Sequence, residues 1–230
     1  MATPEQEVPR KVDPFEVAFE KLNASLRQGG KIHFNASRGS EKHAGIDLIV
    51  PNNTPIQLPV EKAVLIGTAR GNESMGNALV FFVPDEKQPY FLFFLHLSAK
   101  TFTELKKQGI SIGSEVSSSE LDGKPIAYSG NTGRSTSPHL HVSATVKLQS
   151  GQTAEEFMQM YREGSLPSFL QGKNFYPLQL LGSGGLIKKG YIDPTDLILD
   201  RRLAICSLPN LQPPPKKPRF DGDTAVALVR

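Results

Sequence analysis

Tyr90 to Leu97, YFLFFLHL, constrains the fold more than any other stretch of the chain. Every position except His96 is apolar, so the run lacks both the two-residue alternation of a half-exposed strand and the rhythm of an amphipathic helix. A short, aromatic-rich run of this kind fits a strand buried on both faces, near the middle of a sheet. The same texture extends from Lys31 to Val146, where short apolar runs (Ala63 to Gly67, Ala78 to Val83, Leu140 to Val146) are separated by Gly, Pro and Asn. The middle of the chain is therefore expected to be a β-rich domain, with His96 at the end of its central strand.

Helices are expected at the periphery. Asp13 as N-cap, Pro14 in the first turn, and Phe15, Ala18, Phe19, Leu22 and Leu26 at helical spacing mark a first helix that ends at Gly29 and Gly30. Two capping boxes, Thr101 with Glu104 and Thr153 with Glu156, predict short helices running to Gly109 and Gly164. The 230 residues, 38% hydrophobic and 21% charged, supply one core but not two full domains. The organisation read from this is a helical extension over 1–30 and one domain over 31–200, with an insertion at about 149–189. A basic, proline-rich tail follows over 201–230, expected to be extended and solvated.

A net charge of +3 is too small to argue for nucleic acid, and no nucleic-acid partner is predicted. The apolar runs, such as Ala78 to Val83 and Phe91 to Leu95, fall far short of the roughly 20 residues of a membrane-spanning helix, so no span is expected. Cys206 is the lone cysteine and leaves the redox compartment open. Met1 to Arg10 has neither the basic head nor the apolar run of a secretory signal.

Four of the five histidines fall in three tight contexts: His43 in HAGIDL, His96 in FLHLS, and His139 with His141 in SPHLHV. Imidazoles and a carboxylate are the ligands of hydrolytic zinc sites, which keep three protein ligands and one position for water. His43, Asp47 and His141 would complete such a set. On one strand, His139 and His141 point to the same face about 6.6 Å apart, so one can bind metal while the other faces the reacting water. A straight strand would hold His43 and Asp47 roughly 13 Å apart. The chain must therefore bend between them, and Gly45 makes the bend easy. His33, with no acidic or histidine neighbour, is read as an ordinary strand residue.

Taken together, these segments resemble the lysostaphin-type zinc endopeptidases that cut peptidoglycan peptides. The resemblance runs from about Phe34 to Val146: HAGIDLIVPNNTPI is similar to that family's first metal motif, MGNALVFF to its central strand, FLHLS to its lone-histidine segment and GNTGRSTSPHLHV to its closing motif. YIDP, from Tyr191 to Pro194, is similar to the aspartate-proline that often follows. The sequence departs from the family at Ser137, Val142 and Ser143, where glycine, an aromatic and glutamate are common.

The resemblance implies an antiparallel β-sheet groove domain with Zn2+ on His43, Asp47 and His141. His96 and His139 then stand as the catalytic pair beside the attacking water. Asn131, Thr132, Arg134 and Ser135 precede the histidine strand and are candidates for holding the substrate backbone. The implied partner is a peptidoglycan peptide, bound by a monomer in the periplasm, cell envelope or extracellular space. A non-catalytic relative that binds peptidoglycan or activates an amidase is the rival reading. All five functional positions are filled here, which favours the enzyme.

Overall fold

The computed structural model describes residues 13–171 and 190–195. The proline-rich tail, the glycine turn at 182–185 and the stretch 196–199 lie outside the described residues. In chain order the elements are α1 (Pro14–Gln28), β1 (Ser37–Arg38), β2 (Glu41–Lys42), β3 (Ile46–Leu48), β4 (Pro55–Ile56), β5 (Lys62–Asn72), β6 (Gly76–Val83) and β7 (Tyr90–Leu97). There follow α2 (Lys100–Lys107), β8 (Glu115–Ser117), α3 (Ser118–Leu121), β9 (Ala127–Tyr128), β10 (Leu140–Thr145), α4 (Ala154–Arg162), α5 (Leu166–Leu170) and β11 (Tyr191–Ile192). The fold is mainly β, as the sequence predicts.

The main sheet runs β11-β10-β7-β6-β5-β8, and all its strand pairs are antiparallel. The outer edge of β10 is shared. β3 pairs with Leu140 to Val142, and β11 with Ala144 and Thr145. β7 lies between β10 and β6, and each of its eight residues is buried. One face of the sheet, with Leu79, Phe81, Leu92, Phe94 and Val142, packs under Phe15, Ala18 and Leu22 of α1 and Phe102 and Leu105 of α2. The other, with Val80, Phe82, Phe91 and Phe93, is covered by Phe157 and Met158 of α4 and Leu166 and Leu170 of α5. This two-sided cover is the physical reason that YFLFFLHL does not alternate.

The helix ends follow their punctuation in two of three cases. Asp13 accepts from the Phe15 N–H at 2.8 Å, and Gly29 closes α1 in the left-handed region at φ 67°. Thr153 and Glu156 form a complete capping box on α4. The box expected at Thr101 does not form, because α2 starts at Lys100 with Ala99 as its N-cap and Thr101 lies inside it, fully buried. Its hydroxyl instead exchanges hydrogen bonds with the backbone of Tyr128, tying α2 to β9.

Phe157 holds the second layer together, with ring centroids 4.9 Å from Phe91, 5.5 Å from Phe82 and 5.6 Å from Phe169. Phe157→Ala is expected to lower the unfolding free energy by about 3 to 5 kcal/mol. The measurement is a drop in the urea midpoint at unchanged slope.

Candidate metal centre

Strand alternation sorts the site residues onto one face. Leu140, Val142 and Ala144 of β10 point into the core beneath α1, so His139, His141 and Ser143 face the other way. Ile46 and Leu48 of β3 join the same core, which turns Asp47 to the histidine side, directly opposite His141 in the register. Between His43 and Asp47 the chain bends at Ala44 and Gly45, as their spacing requires. A Cβ on Gly45 would lie 2.2 Å from the Val142 carbonyl oxygen and 2.7 Å from His141 Nε2. Glycine is thus demanded here by close approach.

His96 reaches the site by a different route. Asn77 pairs with Leu97 and Leu79 with Phe94, so β7 carries one extra residue opposite β6. At this bulge His96 adopts the left-handed region with φ 60°. Phe94 and Leu97 both stay in the core beneath α1 although they stand three positions apart. His96 is thereby re-aimed from that core to the histidine face. Its ring centroid lies 4.8 Å from that of His139 and 5.9 Å from that of His141. Holding a non-glycine residue there costs on the order of 1 to 3 kcal/mol, a kind of strain that concentrates at functional sites.

The three sequence-predicted ligands meet. His43 Nε2 lies 3.2 Å from Asp47 Oδ1, His141 Nδ1 lies 2.8 Å from the same oxygen, and the two nitrogens are 3.2 Å apart. Two donors at zinc bond lengths and tetrahedral angles stand about 3.3 Å from each other, so this triangle is close to one face of a zinc tetrahedron. A borderline-soft dication suits its donor set of two imidazoles and a carboxylate. His139 Nε2 stands at the rim, 3.6 Å from Asp47 Oδ1.

Hydrogen bonds settle which ring nitrogen is free. The Nδ1 atoms of His43, His96 and His139 lie 2.9, 2.8 and 2.8 Å from the carbonyl oxygens of His33, Thr132 and Ser137. A carbonyl only accepts, so each Nδ1 carries the proton and each Nε2 offers a lone pair. His141 is reversed: its Nε2 meets the Ser143 hydroxyl at 2.7 Å and its Nδ1 faces Asp47. A neutral hydroxyl, that of Ser143, thus orients His141. His33 is not in a strand; it sits in a bend, its ring meets Ser25 Oγ at 3.0 Å, and its contribution is the main-chain carbonyl.

The electrostatics favour the metal-ready protonation state. Burial works to raise the Asp47 pKa, but the adjoining His141 and His43 imidazoles outweigh it and hold the carboxyl far below the usual range. Burial lowers the His141 pKa to about 4 against the opposing pull of Asp47, and burial also lowers that of His96. Arg38, absent from the sequence expectations, donates from Nη2 to Asp47 Oδ2. No spacing rule marks it, because it lies on a separate hairpin.

The loop residues proposed from sequence for substrate divide by exposure. Asn131 and Arg134 are exposed, and Asn131 Oδ1 accepts from Ser135 Oγ at 2.6 Å. Thr132 faces inward: its hydroxyl donates to the Leu97 carbonyl at 2.9 Å and accepts the Asn77 N–H at 2.9 Å, bracing the His96 bulge.

Two outcomes follow for the metal-free protein. Gly45→Ala is expected to separate β3 from β10, abolishing zinc uptake by calorimetry and lowering the melting temperature. His141 has a folded pKa of about 4 against an ordinary 6.5, so the unfolded chain binds the extra proton between these values. Stability is therefore present above pH 6.5 and falls as the pH drops toward 4, by at most on the order of 3 kcal/mol. Urea titrations across that window measure it as the difference in pH dependence between wild type and His141→Gln.

The model of peptidase family M23 matches residues 41–153, a span that includes His43, Asp47, His96, His139 and His141. Among solved structures, LytU is 29% identical with a TM-score of 0.37, over 54% of this chain and 73% of that one. The catalytic domain of the antimicrobial peptidase lysostaphin from Staphylococcus simulans is 21% identical with a TM-score of 0.40, over 55% and 89%. The larger lysostaphin structure from that organism is 20% identical with a TM-score of 0.40, over 65% of this chain and 57% of that one. No curated protein matches the chain. The matched span, with the donor triangle at its centre, is a domain of peptidase family M23, the family of the lysostaphin-type peptidases.

Proposed function

We propose that this chain is a zinc-dependent endopeptidase that hydrolyses peptide bonds in peptidoglycan crosslinks or stem peptides. The observation that carries this reading is the triangle of His43 Nε2, His141 Nδ1 and Asp47 Oδ1, with the Nε2 of His139 at its rim. Zinc held by this set supplies a Lewis acid for the scissile carbonyl and a water that is acidic near neutral pH.

The chain's own residues do the rest. His139 and His96 present unprotonated Nε2 atoms, which take the proton from the attacking water and return it to the leaving amine. The carbonyls of Ser137 and Thr132 hold the two rings in that tautomer throughout. Asn131, Arg134 and Ser135 serve the substrate backbone from the loop above, and Thr132 acts through His96. The helices α4 and α5, from the insertion, cover the histidine-bearing face beyond Ser143 and wall the groove at that end. The working unit is the domain over 31–200, acting as a monomer on the cell wall. Among the described residues no helix is long and apolar enough to cross a membrane.

The test pairs metal analysis with muropeptide release from purified cell walls. Wild type is expected to hold about one zinc per chain, and His141→Ala to lose it. His139→Ala should keep the metal and lose about 10² to 10⁴ in turnover. A zinc-loaded wild type that releases nothing from several wall types would overturn the catalytic reading in favour of a binding or activating role.

A further inference from the structure

The segment between α1 and β1 offers three consecutive carbonyl oxygens, each to a different part of the metal centre. Lys31 O accepts from Arg38 Nε at 3.0 Å and from its Nη2 at 2.8 Å. Ile32 O accepts the Asp47 N–H at 2.8 Å, and His33 O accepts from His43 Nδ1. Arg38 sits on a two-stranded hairpin whose four strand residues are all exposed, and its side chain is 37% accessible. Such an arginine ordinarily extends into water. This one folds back so that its planar fork bridges the Lys31 carbonyl and Asp47 Oδ2.

The division of the carboxylate is the informative part. Oδ1 is the oxygen shared with His43, His139 and His141, whereas Oδ2 is the oxygen paired with Arg38. We propose that Arg38 is a positioning residue that occupies Oδ2, restricts Asp47 to a single coordinating oxygen, and so keeps the fourth metal position open. The inference rests on the metal reading above. It goes beyond that reading by assigning the choice of coordination number to a residue that touches neither the imidazoles nor the reacting water. A carboxylate with both oxygens free can chelate, which would add a further donor to the metal and crowd the position a hydrolytic site keeps for water. A lysine at this position offers a point charge without the fork that bridges both partners.

Cobalt(II) is the probe, since the intensity of its visible bands reports coordination number without any turnover. The full chain is titrated with Co2+ as wild type, Arg38→Ala and Arg38→Lys, with thermal melts by circular dichroism establishing that each is folded. Wild type is expected to show the intense bands of four-coordination. Arg38→Ala should bind one cobalt with bands weakened about twofold or more, as the second oxygen joins. Millimolar guanidinium should restore the wild-type spectrum to Arg38→Ala, and Arg38→Lys should fall between the two. Should Arg38→Ala bind no cobalt while folded, recovery of binding with guanidinium supports the assignment, and its absence overturns it. Identical spectra for wild type and Arg38→Ala overturn this inference alone. A wild type that takes up no cobalt overturns the metal reading and this assignment with it.

Discussion

A buried carboxylate is the constraint around which this domain is arranged. Asp47 is nearly enclosed, yet it must stay ionised to be of use, and a charge removed from water is tolerable only when its lone pairs are satisfied. Three imidazole nitrogens gather around its Oδ1, and a guanidinium donates to its Oδ2. They arrive from four places in the chain: the stretch before β3, the loop before β10, β10 itself, and the β1–β2 hairpin. The pairing of β3 with β10 aligns Asp47 with His141, the bend at Gly45 returns His43, and Arg38 closes the remaining side. Each strand therefore has its register specified twice, once by apolar residues in the core beneath α1 and once by the polar cluster opposite.

The two faces of the sheet divide the work. Beneath α1 and α2 lies a closed apolar layer that contributes stability and nothing to chemistry. The opposite face is apolar under α4 and α5 and polar where the histidines emerge. The N-terminal helix packs on the face away from the histidines, so its docking braces the sheet rather than covering the centre. Its link to the centre is indirect, through Ser25, the His33 ring and the His33 carbonyl.

Much of this was legible in the residue order because it was written in side chains. The apolar octet identified the central strand, the Asp13 and Gly29 punctuation bounded α1, and the distance argument between His43 and Asp47 required the bend that Ala44 and Gly45 make. What escaped was carried by geometry that leaves no local mark. In a regular strand His96 would have pointed with Phe94 into the core, and only the register with β6 shows the extra residue that re-aims it. Thr101 has the composition of a cap, but a tertiary hydrogen bond to Tyr128 draws it into the helix. Arg38 is five residues from His43 with no periodicity to connect them, and His33 resembles a strand residue because its contribution is its backbone.

That last point has an evolutionary side. The rings of His43, His96 and His139 are each steered by a main-chain oxygen, an atom that every amino acid carries. Substitution at position 137 can therefore replace the side chain while leaving the steering atom in place, provided the path of the chain is kept, whereas His33 and Thr132 also use their side chains, on Ser25 and on the His96 bulge. Residues that matter to the chemistry through their carbonyls would look freely variable in any tally of amino-acid identity. Insertions and deletions that displace the loops, rather than point substitutions within them, are the changes this centre is built to resist least.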